Sequence, residues 1–263
     1  MLMEEELYMK KDVYNCHFIG YKENPKILLI HGMGFYWNNC FRKIIDELKS
    51  IYFLIIPELE GHHNIKEATN IKITECIEWL ENILISNHIN KIDAVYGISF
   101  GASIAVEFAR RKNITVHNLI LDGAQFVDQG MMKRLSSWIM AWQFKRVLSN
   151  KKLFSYIKRQ MGYINKDEVA ILKPMMCDRI SFQTLEQSAY ECYNYNINNG
   201  NEKIESKVWF ICGSGENFAL QSEKLISNAA LLPIHKRVYQ GKGHAEVLSQ
   251  HPEEIVDIIK KCL

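Results

Sequence analysis

Five short, nearly continuous apolar runs punctuate the chain: K-I-L-L-I at 26–30, Y-F-L-I-I at 52–56, I-D-A-V-Y at 92–96, L-I-L at 119–121 and V-W-F-I-C at 208–212. They are rich in β-branched and aromatic residues and show little alternation, the pattern of strands covered on both faces. A further strand is predicted over 236–239. Between the runs, apolar residues recur at helical spacing, as in Cys76, Ile77, Leu80, Ile83 and Leu84, in Ala102, Ala105, Val106 and Ala109, and in Leu220, Leu225, Ile226 and Ala229. A closing helix is predicted from His251-Pro252-Glu253-Glu254, where proline suits the first turn and the acids complement the helix dipole. Strand-helix alternation of this kind predicts an α/β fold, a mostly parallel sheet with helices on both faces.

The alternation stops between 125 and 200, where the patterning is helical and no strand run stands out. Residues 125–200 are therefore expected to form an inserted helical cap, with 1–124 and 201–263 making the core domain. Six of the ten methionines fall in the insertion. Within it, Met131, Met132, Leu135, Trp138, Ile139 and Trp142 recur at helical spacing, and Met140, Phe144, Val147 and Leu148 widen the apolar face around the helix. A helix apolar on so much of its circumference buries more than one side. One side is expected to pack as core, and Trp138, Met140 and Trp142 are expected to line a pocket for an apolar group, where methionine adapts to irregular shapes.

Composition narrows the function classes. The chain has 263 residues, 48% of them apolar, enough for a sizeable core. Net charge is +2 and no block of five or more basic residues occurs, so nucleic acid is not an expected partner. The amino terminus reads M-L-M-E-E-E, without the basic region of a signal peptide, and no apolar run approaches the roughly 20 residues that span a bilayer, so the expected compartment is the cytoplasm. Seven cysteines lie at wide spacings without a C-x-x-C pair, which fits reduced buried thiols rather than a disulfide framework or a zinc site. The adjacent His62 and His63 point different ways, and no metal or organic cofactor is implied.

The candidate chemistry begins at V-Y-G-I-S-F-G-A, residues 95–102. Gly97-x-Ser99-x-Gly101 follows a predicted strand and opens a predicted helix. A serine hydroxyl is a weak nucleophile unless a tight turn presents it beside backbone N–H donors and a base, and two flanking glycines permit such a turn.

At this point the chain resembles the α/β-hydrolase family, over most of its length apart from the cap and the first dozen residues. Four further landmarks stand in the family's order. His31-Gly32-Met33-Gly34 follows a strand as the family's oxyanion turn does, and the resemblance implies that the backbone N–H groups of Met33 and Phe100 form the oxyanion hole. Pro57-Glu58-Leu59-Glu60-Gly61-His62 is similar to an Asp-x-x-Gly-His loop, with Glu58 in place of Asp. Gly241-Lys242-Gly243-His244 occupies the position of the catalytic histidine. In Cys212-Gly213-Ser214-Gly215-Glu216 the family's acid falls on Glu216, with Asp122, after the preceding strand, as the alternative. The resemblance implies a serine hydrolase acting on an ester or thioester of a small molecule, with Ser99 as nucleophile, His244 as base and Glu216 as acid. An acyltransferase, a carbon-carbon bond hydrolase and a low-turnover ligand-binding receptor share the same residues. His31 and His62 are expected to shape their turns.

Overall fold

The computed structural model describes residues 15–62, 71–200 and 202–263. His63 and the acidic amino-terminal stretch lie outside the described residues. Seven strands form one sheet: β1 (Cys16–Ile19), β2 (Lys26–Ile30), β3 (Phe53–Pro57), β4 (Lys91–Ile98), β5 (Thr115–Asp122), β6 (Lys207–Gly213) and β7 (His235–Tyr239). Their order is β1-β3-β2-β4-β5-β6-β7, and all pairs are parallel except β1, which runs antiparallel to β3. The apolar runs supply the interior: Ile27 to Ile30 are fully buried and β3 is buried along its whole length.

Helix α1 (Trp37–Leu48) follows β2, α2 (Ile73–Ser86) follows β3, and α3 (Phe100–Arg111) follows β4. Between β5 and β6 lie the helices of the insertion, α4 (Lys133–Leu148), α5 (Ser155–Gln160), α6 (Glu168–Leu172) and α7 (Phe182–Asn194), with α4 packed on α7. Helix α8 (Asn217–Ala229) joins β6 to β7, and α9 (Glu246–Gln250) and α10 (Pro252–Cys262) end the chain. Parallel crossovers are right-handed. The strand order reverses at β2, with β3 on one side and β4 on the other, so α1 covers one face while α2, α3 and α8 cover the opposite face. Helix α10 packs against α1, and both faces are closed.

Strand β5 extends well beyond its apolar run. β5 begins at Thr115 and includes Asn118, whose side-chain amide donates to the Asp93 carbonyl at 2.9 Å. β1 was not anticipated: four residues reading C-H-F-I, half exposed on an edge, carry too little apolar signal to separate from a loop.

The reversal at β2 fixes where a site belongs. Where strand order reverses in an open parallel sheet, the diverging loops leave a crevice beyond the carboxyl ends of the strands. Here those ends are Ile30 and Gly97, which pair directly. The chain turns from β4 into α3 with very little room: a Cβ on Gly101 would lie 2.3 Å from the Ile30 carbonyl oxygen, and one on Gly97 would lie 2.5 Å from the Gly101 carbonyl oxygen.

Gly101→Ala therefore forces backbone apart and is expected to lower stability by about 3 kcal/mol in urea unfolding. Gly200→Ala, whose new Cβ would lie 3.1 Å from Arg110 Nη1 rather than inside contact distance of backbone, is expected to shift the midpoint much less. Equal midpoints for the two variants would show that the turn has slack.

Candidate active site

Ser99 stands between β4 and α3 with φ 55° and ψ −118°, a conformation that non-glycine residues rarely adopt. Its backbone is held there: the Ser99 N–H donates to the Asp122 carbonyl at 2.8 Å and its own carbonyl accepts from Ala102 N–H at 2.9 Å. This is the geometry of a nucleophile elbow, a side chain held out at the head of a helix.

His244 lies in the loop after β7, and its Nδ1 is 2.7 Å from Glu216 Oε2. The other carboxylate oxygen, Oε1, accepts from the Gly213 N–H at 2.6 Å, so Glu216 folds back on its own turn and is fixed before it meets the histidine. With Nδ1–H directed at the carboxylate, Nε2 carries the free lone pair. Gly123 makes this pairing possible. It has φ +54°, and a Cβ there would come within 2.7 Å of His244 Nδ1 and 2.8 Å of Glu216 Oε2.

Asp122 is close by but differently engaged: buried at the end of β5, it accepts from the Tyr96 hydroxyl at 2.7 Å. Burial, reinforced by the charge of Glu216, pushes its carboxyl up to about 7. Burial by itself drives the His244 imidazole below its ordinary 6.5. The hydrogen bond and charge of Glu216, with the charge of Asp122, outweigh that, and the net direction is upward.

Ser99, Phe100, Met33, Glu216 and His244 line one cavity of about 340 Å³. The Met33 turn packs directly on the serine, since a Cβ on Gly32 would lie 3.2 Å from Ser99 Cβ. Phe100 is the first residue of α3, where a helix leaves N–H donors without intrahelical partners. His31 and His62 hold the turn in shape. His31 Nε2 accepts from Leu59 N–H at 3.1 Å while its Nδ1 donates to the Gly32 carbonyl at 3.0 Å, and His62 Nε2 accepts from Gly34 N–H at 2.9 Å. Burial lowers His31 to about 4, so it is neutral at pH 7. Glu58 accepts from Asn15 at 3.0 Å and from the Trp37 indole at 2.5 Å, tying the end of β3 to neighbouring segments rather than facing the cavity.

Cys192 also lines the cavity, but burial pushes its thiol up to about 12, which leaves no thiolate to compete with a serine. Among the described residues no group of three or more His, Cys, Asp or Glu side chains converges as a metal site.

The cap contributes Ile139, Met140, Phe144, Phe154 and Met161 to the wall. Trp138 and Trp142, expected in the pocket with Met140, lie elsewhere: both are exposed on the outer side of α4. Spacing alone does not separate the two sides of a helix apolar nearly all round, and here Ser137, Ala141, Phe144 and Val147 define the buried side.

Residues 161–163 also grip the loops that carry His244 and Glu216, which sequence reading missed. Met161 carbonyl accepts from His244 N–H at 2.9 Å, and the buried Tyr163 hydroxyl donates to the His244 carbonyl. Gly162 lets the segments meet, since its Cβ would come within 2.8 Å of Gly215 and 2.9 Å of Gly243. On the other side of the cavity Met175 carbonyl accepts from Tyr36 N–H at 2.9 Å, and Cys177 N–H donates to the Gly34 carbonyl at 2.8 Å. Apart from the Tyr163 hydroxyl these are backbone contacts between remote loops, and no local pattern announces them.

A doubly covered parallel sheet with a strained serine turn at its strand reversal, and a His–Glu pair opening on the same cavity, defines an enzyme of the α/β-hydrolase class. The solved structure of an α/β-hydrolase family protein from Desulfitobacterium hafniense is 36% identical, with 94% of this chain and 99% of that chain covered and a TM-score of 0.92. The chain belongs to the α/β-hydrolase family. A carboxylesterase structure from Nitrososphaera gargenis (18% identity, 94% and 93% coverage, TM-score 0.71) and a thermophilic esterase from Thermogutta terrifontis (15% identity, 94% and 92% coverage, TM-score 0.71) share the fold. No family model and no curated protein matches the sequence.

The electrostatics predict a titration. Because Glu216 raises the imidazole, an NMR pH titration of His244 is expected to show a midpoint above 6.5 in the wild type and a lower one in Glu216→Gln. A midpoint that does not fall in Glu216→Gln would assign the shift to another group.

Proposed function

We propose that the protein hydrolyses carboxylic esters or thioesters of small, partly apolar acids through an acyl-enzyme on Ser99. The observation that carries this reading is the 2.7 Å pairing of His244 Nδ1 with Glu216 Oε2 at the wall of a cavity onto which Ser99 also faces.

Ser99 Oγ attacks the acyl carbonyl while His244 Nε2 takes its proton. Glu216 holds the imidazole in the Nδ1–H tautomer and stabilises the imidazolium that forms. The carbonyl oxygen becomes an oxyanion, and the Met33 and Phe100 N–H groups donate to it; donors already in place stabilise developing charge without reorganisation. Collapse of the tetrahedral intermediate expels the alcohol or thiol, which takes the proton from His244. Water then attacks the acyl-enzyme as His244 accepts its proton, and the carboxylic acid leaves as Ser99 is restored.

The cavity lining supports the substrate class. Among the described residues it contains no lysine or arginine and Glu216 is its one carboxylate; residues 125–200 give it Ile139, Met140, Phe144 and Phe154 together with a few uncharged polar groups such as Gln129, Ser136 and Gln160. Such walls favour an uncharged, apolar acyl group. The esterase names of the fold relatives from Nitrososphaera gargenis and Thermogutta terrifontis agree with ester hydrolysis.

Ser99→Ala is expected to fold normally, to lose labelling by a fluorophosphonate, and to lose on the order of 10⁴ to 10⁶ in kcat. Retention of a tenth of wild-type turnover would end the proposal. Glu216→Gln should cost several orders of magnitude and Asp122→Asn much less, and the reverse ranking would move the acid to Asp122. Across p-nitrophenyl acetate, butyrate and octanoate, kcat/KM is expected to rise with chain length and Met140→Ala to flatten the rise. Acetate as the best substrate, with no change in the variant, would remove the cap wall from substrate selection.

A further inference from the structure

Helix α4 has a second apolar side that nothing among the described residues covers. Met131, just before it, and Leu135, Trp138 and Trp142 follow one another at four, three and four residues, which aligns them along one face. All four are exposed: Met131 entirely, Leu135 by 53%, Trp138 by 48% and Trp142 by 37%. The aromatic residues are ordered against one another, with Trp138 and Trp142 stacked at 6.1 Å between ring centroids and Trp142 edge-on to Phe154 at 4.9 Å. Phe154 and Tyr156 are exposed and also line the cavity, so the outer stripe continues into the cavity wall.

Between Asp128 and Asp167 every charged residue of the segment that carries the stripe is basic. Residues 129–166 contain nine lysines and arginines and no aspartate or glutamate. The chain as a whole has 32 basic and 30 acidic residues, which leaves 23 against 30 outside this segment. Two of the nine cations are neutralised, Lys158 by Glu168 and Lys166 by Glu246. The other seven, Arg134, Arg146, Lys151, Lys152 and Arg159 among them, meet no carboxylate among the described residues. Arg146 lies over the rings of both Trp142 and Phe154, at 5.5 and 4.8 Å, placing a cation within the aromatic stripe.

We propose that this cap face docks onto an anionic phospholipid surface, with the cavity rim formed by Phe154 and Tyr156 turned towards it. Exposed aromatic and aliphatic residues flanked by long cationic side chains suit the boundary between headgroups and acyl chains, where the apolar stripe leaves water and the cations meet phosphate. Among the described residues no helix is long and apolar enough to cross a membrane, so the contact is peripheral. Charge complementarity selects this occupant over a second copy of the chain, because two such faces apposed would set the cations of the stripe, Arg146 among them, against their own copies. Docking would present the cavity to substrates dissolved in the bilayer, but binding itself does not depend on the proposed ester chemistry.

The test is sedimentation of the full chain with vesicles of phosphatidylcholine alone or of equal parts phosphatidylglycerol and phosphatidylcholine, with quenching of tryptophan fluorescence by brominated lipid. The wild type is expected to bind the anionic vesicles, to be quenched there, and to be released by salt, while neutral vesicles leave it in solution. Each surface cation contributes about five-fold to binding, so Lys151→Glu with Lys152→Glu should weaken it by on the order of 30-fold or more. Trp138→Ser should reduce both binding and quenching, with circular dichroism checking that each variant is folded. Absence of binding to anionic vesicles at low salt overturns the proposal, as does undiminished binding by the folded variants. A lipid-free wild-type dimer that Trp138→Ser converts to monomer would overturn it in favour of self-association.

Discussion

The close approach of α3 to the end of β2 is the constraint on which the site depends. Gly101 lies against the Ile30 and His31 carbonyls where a methyl group does not fit, and that contact brings the head of α3 to the switch point of the sheet. Because α3 starts so near the strand ends, the one residue between β4 and α3 has to turn sharply, and Ser99 takes a strained φ to do so. The same compression puts the Met33 turn against Ser99. The two segments thus meet through packing, before any catalytic role is considered.

The second half of the site is assembled differently. His244 and Glu216 sit in separate loops after β7 and β6 and are held by the cap from outside. Met161 and Tyr163 bind the two backbone polar groups of His244, and the Glu246 carboxylate accepts from the Gly243 N–H at 2.8 Å while pairing with Lys166. A segment that supplied only an apolar wall could shift without affecting His244 and Glu216. This one cannot, because residues 161–166 carry hydrogen bonds that set where the imidazole lies.

What the sequence disclosed follows from how local each signal is. The β2, β3, β4 and β6 runs are apolar because both faces of the sheet are covered, and they are visible in any window of five residues. The Gly97-x-Ser99-x-Gly101 turn is legible for a related reason: its sterics act within a few residues. Edge strand β1 gave no such signal because half of it faces solvent. The outward turn of Trp138 and Trp142 was hidden too, since periodicity measures that a helix is apolar on two sides but not which side meets the cavity. The cap's charge was masked by averaging: a chain with net charge +2 holds a segment of nine cations without acids, balanced by an acidic remainder.

The two acids left open by the sequence differ in what their oxygens meet. Asp122 and Glu216 end adjacent strand-loop units on the same side of the sheet, so both lie near the imidazole. Glu216 receives a backbone N–H on one oxygen and faces Nδ1 with the other. Asp122 receives a phenol, and burial together with the charge of Glu216 pushes it up to about 7. The longer side chain is part of the answer, because it lets Glu216 reach back to Gly213 and across to His244 at once. The Glu216 side chain thus ties the loop of Gly213, Ser214 and Gly215 to His244 through its two oxygens.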